Sequence, residues 1–445
     1  MAILKTLAGV CFATSVLAGP TPTENEVAKV EARQGTTNAP IFNQEDLAAA
    51  LRSLSAGGTV ATAILTNIIQ RLAATDPRDI FQNGAEILLG GLAGPGDFVT
   101  IARAYAVESN NNNFNPLPAV PPVFPSAGPN DAPYSLSEAQ LRRVIYIPPE
   151  YTYGRKPPVL FIPGTGARAG SNFGPNIAKL FREQDVADPV FVNIPNENLD
   201  DVQIAAEYVA YAINYISRIS GNRKVNSVSW SQGSIDAQWA LKYWPSTREN
   251  LVNKISISGD YHGTILAQLL CPGFPTPGCV PAVAQQNFNS TFIRTLRTRG
   301  GDSAYVPTTN IYSIFDEIVQ PQQDPNASGS LFGSPDLVSN TEIQSVCTAL
   351  LPGGAPNVNH EGVLYNALAY ALAKDAIVNG GPGRLSRVDT ELACAQFAAP
   401  GLSLADILAT SAVIPIAAAA IVAYPEKVAD EPPIMPYASG DTPPA

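Results

Sequence analysis

Apolar residues in the second half of the chain form short continuous runs that alternate with longer runs of helical spacing. The short runs predict strands that are buried on both faces of a sheet. They are residues 158–162, 189–194, 254–258 and 308–315. The longer runs, residues 172–181 and 201–220, predict helices. Strand alternating with helix is typical of an α/β fold with a mainly parallel sheet, whose ligands bind at the carboxyl ends of the strands.

The N-terminal part of the chain has a different pattern. Residues 1–18 combine a positive start, an apolar stretch and small residues, which predicts a signal peptide and therefore a secreted, extracellular protein. Residues 19–110 predict a polar leader followed by a helical appendage, either a pro-region or a packing module. The Asn- and Pro-rich residues 111–133 predict a linker. The α/β domain is expected over residues 122–445.

Residues 411–423 are strongly apolar and could be mistaken for a membrane span. Pro415 lies within the segment and Pro425 follows it, so the segment is too short and too interrupted to cross a bilayer. No transmembrane segment is therefore expected. A hydrophobic helix in or over a ligand pocket is the preferred interpretation, and plain core packing is the alternative.

Composition narrows the classes of partner. The net charge of −11 over 445 residues argues against nucleic-acid binding, because contacts to phosphate need clustered Lys and Arg. No cysteine has a histidine or a Cys-x-x-Cys partner nearby, so neither a metal nor another cofactor is expected. The sequons at Asn289 and Asn326 are compatible with export and are the candidate glycosylation sites.

Four cysteines remain once the predicted signal peptide is removed. Cys271 and Cys279 bracket a Pro/Gly-rich loop that a disulfide could pin, which would leave Cys347 and Cys394 as the other pair. Four cysteines allow three pairings, and spacing alone does not choose among them.

Residues 225–233 carry the clearest chemical signal. Apolar residues alternate up to Ser231, Gly233 closes the turn, and helix-compatible residues follow. A strand that ends in a sharp turn with serine at its apex and continues as a helix is how an α/β-hydrolase exposes a nucleophile. Ser231 is therefore the candidate nucleophile.

A serine nucleophile needs a base and a carboxylate that orients the base. The chain has only two histidines, and in α/β-hydrolases the partners follow in the order Ser, Asp or Glu, His. This order selects His360 over His262. Asp316 follows the strand-like residues 310–315 and is the candidate acid, with Glu317 as the adjacent alternative.

Acyl transfer also needs hydrogen-bond donors aimed at the oxyanion of its tetrahedral intermediate. The backbone N–H of Gln232, the residue after the nucleophile, is one expected donor. The loop Gly164-Thr165-Gly166 follows an early strand, and Thr165 can offer both its N–H and its hydroxyl. These two residues are the candidate oxyanion hole.

Together these motifs resemble those of the Candida antarctica lipase B family of secreted fungal α/β-hydrolases, in the same order from about residue 122 to the C-terminus. The matching segments are Pro163-Gly164-Thr165-Gly166, Trp230-Ser231-Gln232-Gly233 with Ala237-Gln238-Trp239, Asp260-Tyr261 with Gly263-Thr264, Val306-Pro307-Thr308-Thr309-Asn310, Asp316-Glu317-Ile318-Val319-Gln320-Pro321, and residues 417–423. The resemblance implies a lipase or carboxylesterase with Ser231, Asp316 and His360 as its triad, and with Thr165 and Gln232 as its oxyanion hole.

The resemblance also implies roles for residues around the triad. The substrate-binding residues would be Trp230 and Ile318 in the acyl and alcohol pockets, with Ile414 and Ile421 over the entrance. Asp260 would lie close to the triad without being one of its members. Cys347 and Cys394 match a disulfide of the family.

Several features depart from the family pattern, including the absence of a counterpart to its most N-terminal disulfide and the additional helical segment over residues 45–106. Ser229 stands where a glycine usually lies two places before the nucleophile. Glu361 replaces a small residue beside His360, and an acid there is expected to alter the acid–base environment of the histidine. The segment 271–279 looks like an insertion in the region that acts as a lid.

The sequence thus predicts a secreted serine lipase or carboxylesterase that hydrolyses carboxylic esters of the acylglycerol type through an acyl-enzyme. An acyltransferase with the same triad is one alternative, and a non-catalytic, hydrolase-like binding protein is an alternative from another class. The expected partners are a lipid or ester substrate and, transiently, a lipid–water interface. The chain is expected to be a monomer.

Overall fold

The computed structural model describes Glu108, Ser109, Asn115 and residues 121–267 and 278–443. The signal peptide and almost all of the polar leader and helical appendage lie outside these residues and stay predictions. Cys271 also lies outside them, so its pairing with Cys279 stays a prediction too.

The described part of the chain contains one seven-stranded sheet. Its strands are β1 (Ile145–Tyr146), β2 (Pro158–Ile162), β3 (Asp188–Val192), β4 (Val225–Trp230), β5 (Leu251–Ile257), β6 (Thr308–Tyr312) and β7 (Val338–Glu342). The strand order is β1-β3-β2-β4-β5-β6-β7. Only β1 runs antiparallel to its neighbour, and every other pair is parallel, which confirms the predicted mainly parallel sheet.

One helix precedes the first strand, and the others connect strands or follow the last of them. The helices are α1 (Glu138–Arg143), α2 (Ala169–Phe173), α3 (Ile177–Glu183), α4 (Pro195–Asn198), α5 (Val202–Ile219), α6 (Gly233–Tyr243), α7 (Ser246–Asn250), α8 (Pro281–Gln285), α9 (Thr291–Arg297), α10 (Ile343–Val346), α11 (Ala367–Asn379), α12 (Thr390–Ala395), α13 (Leu404–Ser411) and α14 (Val413–Ala423). The long predicted helix over residues 201–220 is α5, and Asp201 caps it by accepting the N–H of Gln203.

The continuous apolar runs arise because both faces of the sheet are covered. In β2, Leu160 and Ile162 pack into the cluster that contains α5 and α6. Val159 and Phe161 point the other way, into the cluster that contains α3 and α11. A strand with helices on both faces cannot alternate apolar with polar residues, so it reads as an unbroken apolar run.

Two local features differ from the sequence expectation. The single helix predicted over residues 172–181 is α2 and α3, separated at Asn176, whose φ of −134° and ψ of −112° are not helical. The Asn176 side chain accepts the N–H of Ile177 and so begins a new helix. The edge strands β1 and β7 were not predicted, because β1 has two residues and β7 carries polar residues on a half-exposed edge.

The apolar segment 411–423 forms the end of α13 and the whole of α14. Pro415 does not interrupt α14, because it lies in the first turn, where a backbone N–H would have no partner within the helix. Among the described residues, no helix has the length and hydropathy that a membrane crossing requires.

A disulfide joins Cys347 to Cys394, as the resemblance implied. The two cysteines are 47 residues apart and enclose both the loop of His360 and the helix α11 that follows it. The bond therefore constrains the segment that presents the candidate base.

We expect the double variant Cys347→Ser/Cys394→Ser to lose up to about 4 kcal/mol of unfolding free energy, from the entropy of a loop of this length in the unfolded chain. Urea unfolding with and without a reducing agent measures the effect, since the reducing agent should destabilise the unmutated protein more than the double variant. Equal stability of the oxidised protein and the variant would contradict this role.

Candidate active site

Ser231 lies at the sharp turn between β4 and α6. Its φ of +54° is in the left-handed region, which is strained for a residue with a side chain. Its N–H donates to the carbonyl of Ile257 at 3.0 Å. A Cβ at Gly233 would lie 2.5 Å from the carbonyl oxygen of Ile162, so the turn requires glycine there. The structure thus has strand, turn and helix where the sequence predicted them.

Asp316 and His360 meet in the buried interior. Nδ1 of His360 lies 2.7 Å from Oδ2 of Asp316. Oδ1 of Asp316 accepts the backbone N–H groups of Ile318 and Val319, at 2.9 Å and 2.7 Å. Because the carboxylate takes the proton-bearing Nδ1 side of the ring, Nε2 is left to accept a proton.

The backbone of His360 is also held in place. Its N–H donates to Oε2 of Glu317 at 3.0 Å. Its carbonyl accepts the indole N–H of Trp230 at 3.0 Å and the hydroxyl of Ser258 at 2.9 Å. The rings of Trp230 and His360 pack with centroids 4.7 Å apart. The sequence predicted His360 and Trp230 as site residues but gave no signal that one anchors the other.

Opposing effects set the pKa of His360. Burial of the ring lowers this pKa, while the charge and hydrogen bond of Asp316 and the charges of Glu317 and Asp260 raise it. The acids outweigh burial, so the pKa of His360 lies above its ordinary value of 6.5. The raised pKa favours the imidazolium form of His360. A general base needs this, because it has to hold a proton during the reaction.

One pocket brings the candidate residues together. It encloses about 550 Å3, part of it open to solvent. Its lining includes Ser231, His360, Thr165 and all four predicted substrate-binding residues, Trp230, Ile318, Ile414 and Ile421. Among the described residues, no hydrogen bond joins the hydroxyl of Ser231 to the ring of His360. Such bonds are often long in ligand-free enzymes.

Thr165 and Gln232 lie beside Ser231 with their backbone N–H groups unused by other described residues. Gln232 is also the residue from which α6 begins, where the helix dipole favours negative charge. A Cβ at Gly164 would lie 2.5 Å from the ring of Trp230. The residue before Thr165 must therefore be glycine if the loop is to come this close to Ser231. The arrangement offers two donors to an oxygen anion bound next to Ser231.

Side chains that the sequence did not single out hold this loop. Gln286 donates to the hydroxyl of Thr165 at 3.0 Å and to Oε1 of Gln232 at 3.1 Å. Asn198 donates to Oδ2 of Asp236 at 2.8 Å and to the carbonyl of Pro163 at 3.2 Å. These contacts join segments up to 121 residues apart, so no local sequence signal could have shown them.

The two remaining predicted positions also have defined surroundings. His262, the rejected base, is faced by Arg297 and Asp302, and burial lowers its pKa to about 4. It is absent from the described lining of the pocket. Asp260 is fully buried, and neither of its carboxyl oxygens has a hydrogen-bond partner among the described residues. Burial raises the pKa of Asp260 to about 7, against the opposing charge of His360.

Known proteins share both the sequence and the fold. A scan against protein-family models finds no match. Lipase B of Pseudozyma antarctica is 34% identical over 284 residues, which are 63% of this chain and 79% of that protein. The crystal structure of Aspergillus fumigatus lipase B matches with a TM-score of 0.74 at 39% identity, covering 96% of this chain and 99% of that chain. The chain belongs to the lipase B family.

Membership in the lipase B family makes the chain an ester hydrolase and confirms both the predicted resemblance and the α/β-hydrolase fold. A coverage of 96% also takes in residues that precede the α/β domain.

We expect Asp260→Asn to make stability less dependent on pH. Folded Asp260 keeps its proton up to about pH 7, whereas the unfolded group loses it near 3.8. The folded protein binds more protons between these values, so its free energy of unfolding falls as pH rises through them, by up to about 4 kcal/mol. Asparagine removes this contribution.

Urea unfolding of the protein and of Asp260→Asn at acidic and alkaline pH measures the difference. Asp336→Asn is the matched control, because Asp336 is exposed. Identical pH dependence in the protein and in Asp260→Asn would show that Asp260 does not stay protonated in the folded state.

Proposed function

We propose that this protein is a secreted serine lipase or carboxylesterase that hydrolyses acylglycerol-type esters through an acyl-enzyme. Ser231 is the nucleophile, His360 the general base and Asp316 the acid that orients it. The observation that supports this assignment is the 2.7 Å contact between His360 and Asp316 at the edge of the pocket that Ser231 lines. In this arrangement Nε2 of His360 is the group left to take the serine proton.

In the first half of the reaction, Oγ of Ser231 attacks the ester carbonyl and its proton passes to Nε2 of His360. The carbonyl oxygen becomes an anion that the N–H groups of Thr165 and Gln232 stabilise, together with the hydroxyl of Thr165. The tetrahedral intermediate then collapses, and the alcohol leaves with the proton from His360. The acyl group remains on Ser231.

In the second half, His360 takes a proton from water while the water oxygen attacks the acyl carbon. The same donors stabilise the second oxyanion. Collapse of this intermediate returns the proton to Oγ of Ser231 and releases the carboxylic acid. His360 can start either half only as neutral imidazole, and Asp316 stabilises the imidazolium that forms in between.

The pocket supports an apolar substrate. Trp230, Ile318, Ile414 and Ile421 present large apolar surfaces to the space beside Ser231. Ile414 and Ile421 both belong to α14, which lies over the site. An ester with a hydrocarbon acyl chain buries apolar surface there, at roughly 25 cal/mol per Å2. We expect the apolar residues around the pocket also to contact a lipid–water interface transiently, because such contact buries apolar surface in the same way.

Secretion is part of the proposal. The N-terminal signal pattern supports it, and so does the Cys347–Cys394 disulfide, since such bonds persist in oxidising compartments. The sequon residues Asn289 and Asn326 are both exposed and therefore accessible to glycosylation.

We expect Ser231→Ala to lower p-nitrophenyl ester turnover by at least about 10⁴-fold while leaving the fold intact. A fluorophosphonate probe should label Ser231 in the protein and leave the variant unlabelled. Ser334→Ala, at an exposed serine, is the matched control for both measurements. Full turnover in Ser231→Ala would end the assignment, and a protein that accepts no label would indicate a non-catalytic binding protein.

We expect Thr165→Val to lower kcat by about 10²- to 10³-fold with little change in KM, because valine keeps the shape of threonine but loses a donor used in the transition state. Thr165→Ser keeps the hydroxyl and should retain most of the activity. Steady-state kinetics of the two variants measure this. If Thr165→Val kept its full kcat, the hydroxyl would serve only to bind Gln232 and Gln286 in the resting protein.

A further inference from the structure

Two glutamates lie side by side beneath the loop of His360. Glu317 follows Asp316, and its Oε2 accepts the backbone N–H of His360 at 3.0 Å. Glu361 follows His360 in the chain. The side-chain amide of Asn359 lies between the two acids, with its nitrogen 2.9 Å from Oε1 of Glu361 and 3.4 Å from Oε1 of Glu317. A single amide group therefore contacts both carboxyl groups.

Glu361 has one carboxyl oxygen that accepts no hydrogen bond. Its side chain is buried, no N–H group of the described residues donates to its Oε2, and the carboxyl group of Glu317 lies beside it. Asn359 uses its own oxygen to accept the N–H of Gly362 at 2.9 Å. Tyr365 faces the pair but donates its hydroxyl to the carbonyl of Asn357 at 3.1 Å. The oxygen of Glu361 thus has a place for a proton and no donor to satisfy it as an anion.

The charges around the pair favour one shared proton. Burial raises the pKa of Glu361 well above its ordinary range, and the neighbouring Glu317 adds to this. Burial and Asp316 raise the pKa of Glu317, while the charge of His360 and its backbone N–H lower it. Two carboxylates in contact away from water do not both ionise. The proton belongs on Glu361, because Glu317 has the histidine to stabilise its charge.

We propose that Glu361 is a positioning residue for the base: as a neutral acid it donates a hydrogen bond to Glu317, which in turn holds the backbone N–H of His360. The inference rests on the proposed role of His360. Glu361 fixes the direction of the Glu317 carboxylate, and Glu317 fixes the loop that carries the imidazole. When Glu361 loses its proton as the pH rises, the two anions repel each other and the support for His360 is lost.

The test compares Glu361→Gln with Glu361→Ala. Glutamine keeps a neutral donor at every pH, whereas alanine removes it. With p-nitrophenyl butyrate, Glu361→Gln should have the kcat of the unmutated protein at the pH where that protein is most active, and should retain it as the pH rises further and the unmutated protein declines. Glu361→Ala should lose about 10- to 100-fold in kcat with KM nearly unchanged, since a displaced base impairs chemistry rather than binding. Glu249→Gln, at an exposed glutamate, is the charge-matched control and should behave as the unmutated protein.

Unfolding measurements keep the inference testable if Glu361→Ala does not fold. Glu361 holds its proton more tightly in the folded than in the unfolded protein, so the free energy of unfolding should fall as pH rises above about 4.5. Glu361→Gln should lack this part of the decline. Superimposable pH profiles of stability for the two proteins would overturn the shared proton. Equal impairment of the glutamine and alanine variants, or full activity of the alanine variant, would overturn the positioning role.

Fluorophosphonate labelling separates this inference from the proposed function. Labelling of Ser231 in the protein and in Glu361→Gln shows that the nucleophile is active, so any altered pH profile then reports on Glu361. If the unmutated protein accepts no label, the proposed function fails. The unfolding comparison would still decide whether Glu361 keeps its proton.

Discussion

The contact between Asp316 and His360 is the constraint on which the rest of the site depends. Both side chains are buried, and an ionisable pair without water is stable only if each member has further partners. Asp316 has the N–H groups of Ile318 and Val319, and the backbone of His360 is held by Trp230 and Ser258. Residues from four segments must therefore stay in place for one proton acceptor to face the pocket.

Close packing holds the turn at Ser231 and the neighbouring loop of Thr165, whereas charge and hydrogen bonds hold Asp316 and His360. The loop before Thr165 passes so close to β4 that a Cβ at Gly164 would lie 2.5 Å from the ring of Trp230 and 3.0 Å from the Cβ of Ser231. A Cβ at Gly166 would lie 2.7 Å from the Cα of Ala417, which belongs to α14. Gly164 and Gly166 therefore let the loop that carries Thr165 lie between Ser231 and α14.

Features that arise from residues close together in the sequence could be predicted, whereas contacts between distant segments could not. Strands covered on both faces read as apolar runs, and the turn at Ser231 has a local signature, so β2, β4 and the turn between β4 and α6 were predictable. His360 followed because the chain has two histidines and the order of the triad is fixed. Gln286 and the pair of Asn198 and Asp236 were not predictable, since each acts on residues distant in sequence. The short edge strand β1 could not be predicted, because a strand of two residues is too short to show a periodic pattern of apolar positions.

The site contains several buried carboxyl groups besides Asp316, and burial changes which of them carry a charge. Asp236, Asp260 and Glu361 are all buried, and burial raises the pKa of each of them. The neutral form is therefore favoured for all three. Asp316 is the carboxyl group that the imidazole ring contacts directly. Burial thus does more than exclude water, because it favours the protonated form of these three acids, while the contact with the imidazole ring belongs to Asp316.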